Sequence, residues 1–279
     1  MFLDGPPRTV LGERLRPLHR VVLVRDGLAL RRDQPVRERA PMADQLPRDP
    51  WHAVLTASDI DQLVGLGLHY PVRYAQGWRT GLPAHDFQVR PLGDLPADIA
   101  AEVDRLEHEL DGRRLVLVAP SGPAYPFYEH DLRHLTEWCD RTGSVLGLRE
   151  DPRDLDAPWA RRLESVALDL SHHRYPSTPA VLRSAGMVVT DSSGLALDAA
   201  VTGRPVAALV HVDAPLLLDL EHVFPGPVCR SVEELVERAD DYGSELDELR
   251  RRLLAPTPDG GAAARVVERV RLDRQAVGA

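Results

Sequence analysis

The densest group of chemically capable residues follows the apolar run Met187–Val189 and precedes a predicted helix that contains Asp198. The group consists of Thr190, Asp191, Ser192, Ser193 and Gly194. Hydroxyls and the first N–H groups of a helix can donate hydrogen bonds to an anion, and a glycine lets a ligand approach the backbone. The pattern therefore predicts a phosphate-binding turn. The alternative at this point is that Ser192 or Ser193 only caps the helix.

Two histidine pairs are the other obvious candidates for chemistry. His172 and His173 are adjacent, and neighbouring side chains on an extended segment point to opposite faces, so Arg174 beside them is the better phosphate ligand. His130 and His134 have a spacing that can hold a metal on a helix, but no carboxylate from a second helix is evident. We therefore expect no metal and no cofactor.

The elements that must position these residues alternate between short apolar runs and helical patterns. Strands are predicted at 21–24, 53–56, 115–118, 145–148, 166–168, 187–189 and 206–210. Helices are predicted to start at Ser58, Ser177 or Thr178, Gly194, Ser231 and Ser244, to span 99–110, and to include Leu132 and Cys139, whereas 75–94 is predicted to be a loop. This alternation predicts βαβ units and a largely parallel sheet.

Composition narrows the function classes. The 279 residues include 34 basic and 43 acidic side chains, giving a net charge of −9, which argues against non-specific nucleic-acid binding. All the basic residues are arginine, so a phosphate loop that needs lysine is excluded. Two cysteines, Cys139 and Cys229, are too few for a disulfide framework and are expected to be buried thiols. With no membrane-length apolar run and no signal-type start, the sequence predicts a cytoplasmic protein.

Several motifs together resemble the signature of the CDP-glycerol glycerophosphotransferases. The region from Tyr175-Pro176 through Thr190-Asp191-Ser192-Ser193 and Asp198 is similar to that family's Tyr-Pro-Asp, helix, strand and Thr-Asp-Tyr-Ser-Ser arrangement. Further similar blocks occur in the same order, at Trp51–Asp59, Thr80–Asp86, Leu115–Ser121, Gly203–Val206 and Phe224–Val228.

The resemblance implies a GT-B-like α/β fold with two Rossmann-type parallel sheets. Residues 1–95 would be a partial, truncated N-terminal domain on the acceptor side. Residues 96–279 would be a complete C-terminal domain that binds the nucleotide donor. The implied activity is transfer of glycerol phosphate from CDP-glycerol to a lipid-linked or polymeric acceptor of the cell envelope. Peripheral contact with the inner membrane face and a homo-oligomer are left open.

The same resemblance implies roles for individual residues. The turn Thr190–Gly194 would surround the donor diphosphate, with Asp198 orienting the loop or meeting a hydroxyl. Ser121 would add a second hydroxyl, and Arg149 and Arg174 would offer cations to the phosphate oxygens. His19 is the candidate general base.

Departures from the family pattern leave three functions open. Asp151 stands where the family carries a histidine two residues past an arginine, and the family tyrosine before the paired serines is missing. The chain is accordingly a glycerophosphotransferase-like enzyme with altered catalytic residues, a transferase for another nucleotide-activated polyol or sugar, or a non-catalytic relative that binds a nucleotide or a partner protein.

Overall fold

The computed structural model describes two sets of elements. Some of the predicted site residues lie among the described residues, and others do not. The described residues are 2–4, 22–24, 52–59, 61–62, 73–120, 129–150, 166–191, 195–201, 203–210, 224–239 and 258–278. Contacts within the chain divide it into two units, residues 1–89 together with 251–279, and residues 90–250. Sequence analysis placed the boundary at 95 and assigned the C-terminal residues to the second domain, whereas the contacts group those residues with the first unit.

The first unit contains a four-stranded parallel sheet. Its strands are β1 (Phe2–Asp4), β2 (Val22–Val24), β3 (Ala53–Leu55) and β4 (Gly77–Trp78), in the order β1-β2-β3-β4. In the part of this unit that the structure describes, helix α1 (Pro83–Val89) contacts helix α7 (Ala262–Gly278).

The turn after β3 is closed by reciprocal capping. The Asp61 backbone N–H donates to Ser58 Oγ at 3.0 Å, and the Ala57 N–H donates to Asp61 Oδ2 at 2.8 Å. Both side chains are buried. The predicted cap at Ser58, with Asp61 three residues later, is confirmed.

The second unit contains a six-stranded parallel sheet. Its strands are β5 (Arg114–Ala119), β6 (Ser144–Leu148), β7 (Leu168–Asp169), β8 (Ala185–Thr190), β9 (Val206–Leu209) and β10 (Val228–Cys229). Its helices are α2 (Ala97–Leu110), α3 (Glu129–Thr142), α4 (Thr178–Ser184), α5 (Leu195–Ala200) and α6 (Val232–Arg238). Every strand pair is parallel, and the order is β10-β9-β8-β5-β6-β7.

The core of the second unit follows from strand alternation. Val116 and Val118 of β5 face the same cluster as Met187 and Val189 of β8, which α3 and α6 cover. The residues between them, such as Leu117, are also fully buried, so both faces of the sheet are covered. Strands buried on two faces appear in the sequence as continuous apolar runs, and this explains why these strands were predicted. The α/β prediction with parallel sheets is confirmed.

The predicted loop over 75–94 is wrong. It contains β4, α1 and a 3₁₀ turn at Leu92–Asp94. Helix α1 shows no hydrophobic pattern in the sequence because its buried side chains are polar, namely His85, Asp86 and Gln88. Its start at a proline is a signal that sequence analysis left unused.

Candidate functional site

The strand order of the second unit determines where a ligand would bind. Successive connections run from β5 outward to β6 and β7, and then from β8 outward to β9 and β10 on the other side. The direction of winding therefore reverses between β5 and β8. In open parallel sheets, ligands bind outside the carboxyl ends of the strands at this reversal. The relevant ends are Ala119 and Thr190.

The two strand ends are joined by the first residue of the predicted phosphate-binding turn. The Thr190 hydroxyl donates to the Ala119 carbonyl at 2.6 Å, and both residues are buried. Asp191 follows and is 5% exposed, and Asp198 of α5 is 9% exposed. The structure thus places Thr190 and Asp191 at the predicted edge. Ser121, Ser192, Ser193 and Gly194 lie outside the described residues, as do His19 and Asp151.

Arg149 follows β6 at the same edge and is 3% exposed. Its Nη1 donates to the carbonyls of Leu170 and Tyr175, at 2.7 and 2.9 Å. Its Nη2 contacts Thr178 Oγ1 at 2.8 Å and His172 Nδ1 at 3.0 Å. Four protein acceptors therefore engage the four Nη hydrogens, an arrangement that favours a bracing role. The predicted role of Arg149 as a phosphate ligand stays a prediction.

Arg149 stays positively charged although it is buried. Desolvation lowers its pKa to about 10, and the nearby carboxylate of Glu102 acts in the opposite direction. A pKa of about 10 keeps the guanidinium protonated at neutral pH. The carboxyl end of β6 therefore carries a fixed, buried positive charge.

Arg174 belongs to a separate cluster against α2. Its guanidinium pairs with Glu109, which also accepts from the Tyr175 hydroxyl at 2.5 Å. Arg105 lies over the Tyr175 ring, 4.4 Å from its centroid. Burial, followed by the contact with Glu109, raises the pKa of Tyr175. A phosphate-binding role for Arg174 also stays a prediction.

Sequence analysis missed the partners of Arg149. Thr178 and His172 lie more than twenty residues further along the chain, and only the fold brings them to the guanidinium. In the sequence, His172 stands out only as half of a histidine pair.

The carboxylate that sequence analysis could not find beside His130 and His134 is Glu233. His134 Nδ1 lies 2.8 Å from Glu233 Oε1, which belongs to α6. The rings of His130 and His134 are edge-on, 6.3 Å apart between centroids. Among the residues that the structure describes, no group of three or more histidine, cysteine or acidic side chains is arranged to hold a metal.

In the first unit, helix α1, which contains His85 and Asp86, anchors helix α7. Asp86 accepts from the N–H groups of Ala262 and Ala263 at 2.9 and 2.8 Å. Arg265 of the same helix donates to the Thr80 carbonyl at 2.8 Å. The small cavity beside these residues has room for about one water molecule.

Within the described part of the chain, no helix combines the length and apolar character that crossing a bilayer requires. The sheets and their strand order define an α/β protein of the GT-B-like class, with a Rossmann-type second unit.

The sequence also places the chain in a particular family within that class. The family described as CDP-glycerol:poly(glycerophosphate) glycerophosphotransferase matches residues 27–272, and the chain belongs to it. The resemblance found from the motifs is confirmed. No match was found among curated proteins.

Solved structures share the fold at low sequence identity. The wall teichoic acid polymerase TagF is 16% identical, with a TM-score of 0.72, covering 92% of this chain and 69% of that chain. A TagF variant soaked with CDPG for 30 minutes is 15% identical, with a TM-score of 0.72 and coverage of 99% and 72%. A UDP-GlcNAc 2-epimerase from Neisseria meningitidis, bound to UDP-GlcNAc, is 14% identical, with a TM-score of 0.60 and coverage of 96% and 75%.

Proposed function

We propose that this protein transfers glycerol phosphate from CDP-glycerol to a hydroxyl of a lipid-linked or polymeric acceptor in the cell envelope. The single observation that carries the proposal is the family match across residues 27–272, which includes the whole reversal point between β5 and β8. The donor would bind at the carboxyl ends of these strands, with its diphosphate along Thr190–Gly194.

The proposed reaction is a phosphoryl substitution. The acceptor oxygen bonds to the phosphorus that carries glycerol, and the bond from that phosphorus to the bridging oxygen breaks. CMP leaves with the electron pair, and the acceptor proton passes to a general base, for which His19 is the candidate. Hydroxyl and backbone N–H donors of the turn, which include Ser192 and Ser193, would stabilise charge on the equatorial oxygens.

The buried polar groups of the described residues support a ligand at this edge. The Thr190 hydroxyl links the end of β8 to the end of β5. This hydrogen bond fixes the strand end that the predicted ligand-binding residues follow in the sequence. The buried positive charge of Arg149, one strand further along, favours an anionic ligand at the same edge.

The test combines a binding measurement with a turnover measurement. Purified protein is unfolded thermally with CDP-glycerol, CMP, UDP or UDP-glucose, and CMP release is then followed with a lipid-linked polyol acceptor. Ligand at about 100 times its dissociation constant adds about 2.7 kcal/mol, which raises the midpoint by about 5–10 °C for a chain of this size.

Variants make the measurement specific to the proposed site. Ser193→Ala is expected to reduce the shift with CDP-glycerol. Ser177→Ala removes the cap of α4, where Ser177 Oγ accepts from Ala180 N–H at 3.2 Å, and is expected to lower stability while keeping the shift. A shift without CMP release would indicate a binding relative without catalysis. A shift only with uridine nucleotides would indicate another donor, and no shift at all would overturn the proposal.

A further inference from the structure

Arg149 brings a buried positive charge to the end of β6, beside the end of β5. Its backbone N–H donates to the Val118 carbonyl at 3.0 Å, and the residue is 3% exposed. The guanidinium donates to the carbonyls of Leu170 and Tyr175 and to the hydroxyl of Thr178. These three acceptors are uncharged, so they hold the guanidinium without cancelling its charge.

A carboxylate of α2 lies near this cation. Burial lowers the pKa of Arg149, and the negative charge of Glu102 opposes this shift. Glu102 is held in place, because its Oε2 accepts from the Ser177 backbone N–H at 3.0 Å. The next residue, Thr178, contacts Arg149 Nη2 through its Oγ1 at 2.8 Å. The residue that binds Glu102 is therefore the sequence neighbour of one that binds the guanidinium.

Two further charged residues share this face of α2, since Arg105 and Glu109 follow Glu102 by three and seven residues. The Glu109 carboxylate pairs with the Arg174 guanidinium and accepts from the Tyr175 hydroxyl at 2.5 Å. Arg105 donates to the Arg174 carbonyl at 2.5 Å and lies over the Tyr175 ring. The charge of Glu109 is thus matched by an arginine in contact with it, whereas Glu102 accepts from an uncharged N–H group.

The strand order puts Arg149 within electrostatic reach of the proposed donor site. β6 is two strands from β8, and neighbouring strands are about 4.8 Å apart, so the two strand ends are about 10 Å apart. This distance is comparable to the screening length of about 8 Å at physiological salt, and buried charges are screened less than exposed ones. A diphosphate at the end of β8 is therefore attracted by Arg149 and repelled by Glu102.

We propose that Glu102 limits the affinity of the second unit for anionic nucleotides by offsetting the buried charge of Arg149. Glu102 acts through its charge and not by contact with the ligand. This inference rests on the proposed function, because the anions concerned are the donor of that reaction and its product CMP. A limited affinity favours repeated turnover, since CMP has to leave before the next donor binds.

Two neutral variants of Glu102 test the effect of its charge. Glu102→Gln removes the charge and keeps an oxygen that can accept from the Ser177 N–H, whereas Glu102→Ala removes both. Glu107→Gln is the matched control, because Glu107 is an exposed carboxylate of the same helix. Calorimetric titration at low salt measures the affinity of each protein for CDP-glycerol, CMP and cytidine. Urea unfolding shows that each variant is folded.

The expected result is a gain of affinity that is confined to the anions. Glu102→Gln binds CDP-glycerol and CMP about threefold or more tightly than the parent, the effect of one charge acting over about 10 Å or more. Cytidine, which carries no phosphate, binds the parent and the variant equally. The gain decreases as salt is raised, because salt screens the charges. Glu107→Gln binds both anions like the parent.

Failure of this inference is distinguishable from failure of the proposed function. A parent that binds CDP-glycerol, together with a Glu102→Gln variant that binds it equally or more weakly, overturns only the inference. An equal gain for cytidine, or an equal gain in Glu107→Gln, also overturns it, because the local charge would then not be the cause. Should Glu102→Gln not fold, the affinity of Glu102→Ala for CMP decides in the same way. A parent that binds no cytidine nucleotide overturns the proposed function, and the inference is lost with it.

Discussion

At the residue scale, the hydroxyl of Thr190 has a different task from the hydroxyls expected after it. It donates to the Ala119 carbonyl at 2.6 Å inside the protein. A sequence pattern of consecutive hydroxyl residues cannot separate an internal hydrogen bond from a ligand contact. The structure makes this distinction for Thr190, because its partner is a strand end 71 residues earlier in the chain.

Replacement of Thr190 tests this internal task. Thr190→Val keeps the shape but removes the donor, and we expect a loss of about 1–3 kcal/mol in the free energy of unfolding because a buried carbonyl loses its partner. Thr190→Ser keeps the hydroxyl and should lose less. Urea denaturation of the parent and both variants measures the difference. Equal losses for valine and serine would show that the methyl group, and not the hydrogen bond, stabilises this strand end.

At the element scale, sequence periodicity predicted the strands that pack in the apolar core. It missed short strands and a helix that buries polar side chains. Apolar runs predicted β5, β6 and β8 because both faces of this sheet are buried. The two-residue strands β4 and β10 are too short to show a period, and α1 buries polar side chains. The hydrogen bonds of Arg149 could likewise not be predicted from the sequence, because no local pattern links an arginine to acceptors 21–29 residues away.

The cap that joins α1 to α7 is one of these unforeseen polar contacts. Asp86 accepts from two N–H groups at the start of α7, and a carboxylate there also interacts favourably with the helix dipole. We expect Asp86→Ala to lower the free energy of unfolding by about 1–2 kcal/mol and Asp86→Asn by less. Urea denaturation with Asp104→Ala as an exposed control measures this. An alanine variant as stable as the parent would contradict the anchoring role.

Gly226 holds β10 against the neighbouring strand through its lack of a side chain. A Cβ at this position would lie 1.7 Å from the Val206 carbonyl oxygen, a clash with backbone that only a shift of the loop could relieve. We expect Gly226→Ala to lower the free energy of unfolding by about 3 kcal/mol or more. Gly93→Ala is the control, because no atom lies within 4 Å of its added Cβ. Similar stabilities of the two variants in thermal unfolding would contradict the close approach.

At the scale of the whole molecule, the two cysteines report on the integrity of the second unit. Cys139 of α3 and Cys229 of β10 are buried in the same core cluster. Burial raises the pKa of Cys139 to about 12 and that of Cys229 to about 11, from an ordinary value of 9.0. Because the thiolate is the nucleophile, a thiol that is both inaccessible and protonated does not react.

The same shifts give stability a defined dependence on pH. Above about pH 9 the unfolded chain loses both thiol protons while the folded chain keeps them, so the unfolded state binds fewer protons. The free energy of unfolding therefore falls as pH rises from about 9, to about 11 for the contribution of Cys229 and to about 12 for that of Cys139, and both contributions are fully present below pH 9. We expect native protein at pH 8 to react with a thiol reagent only as fast as the core opens, and denatured protein to expose both thiols. Rapid labelling of native protein would contradict a closed core, and Cys139→Ala and Cys229→Ala identify which thiol is responsible.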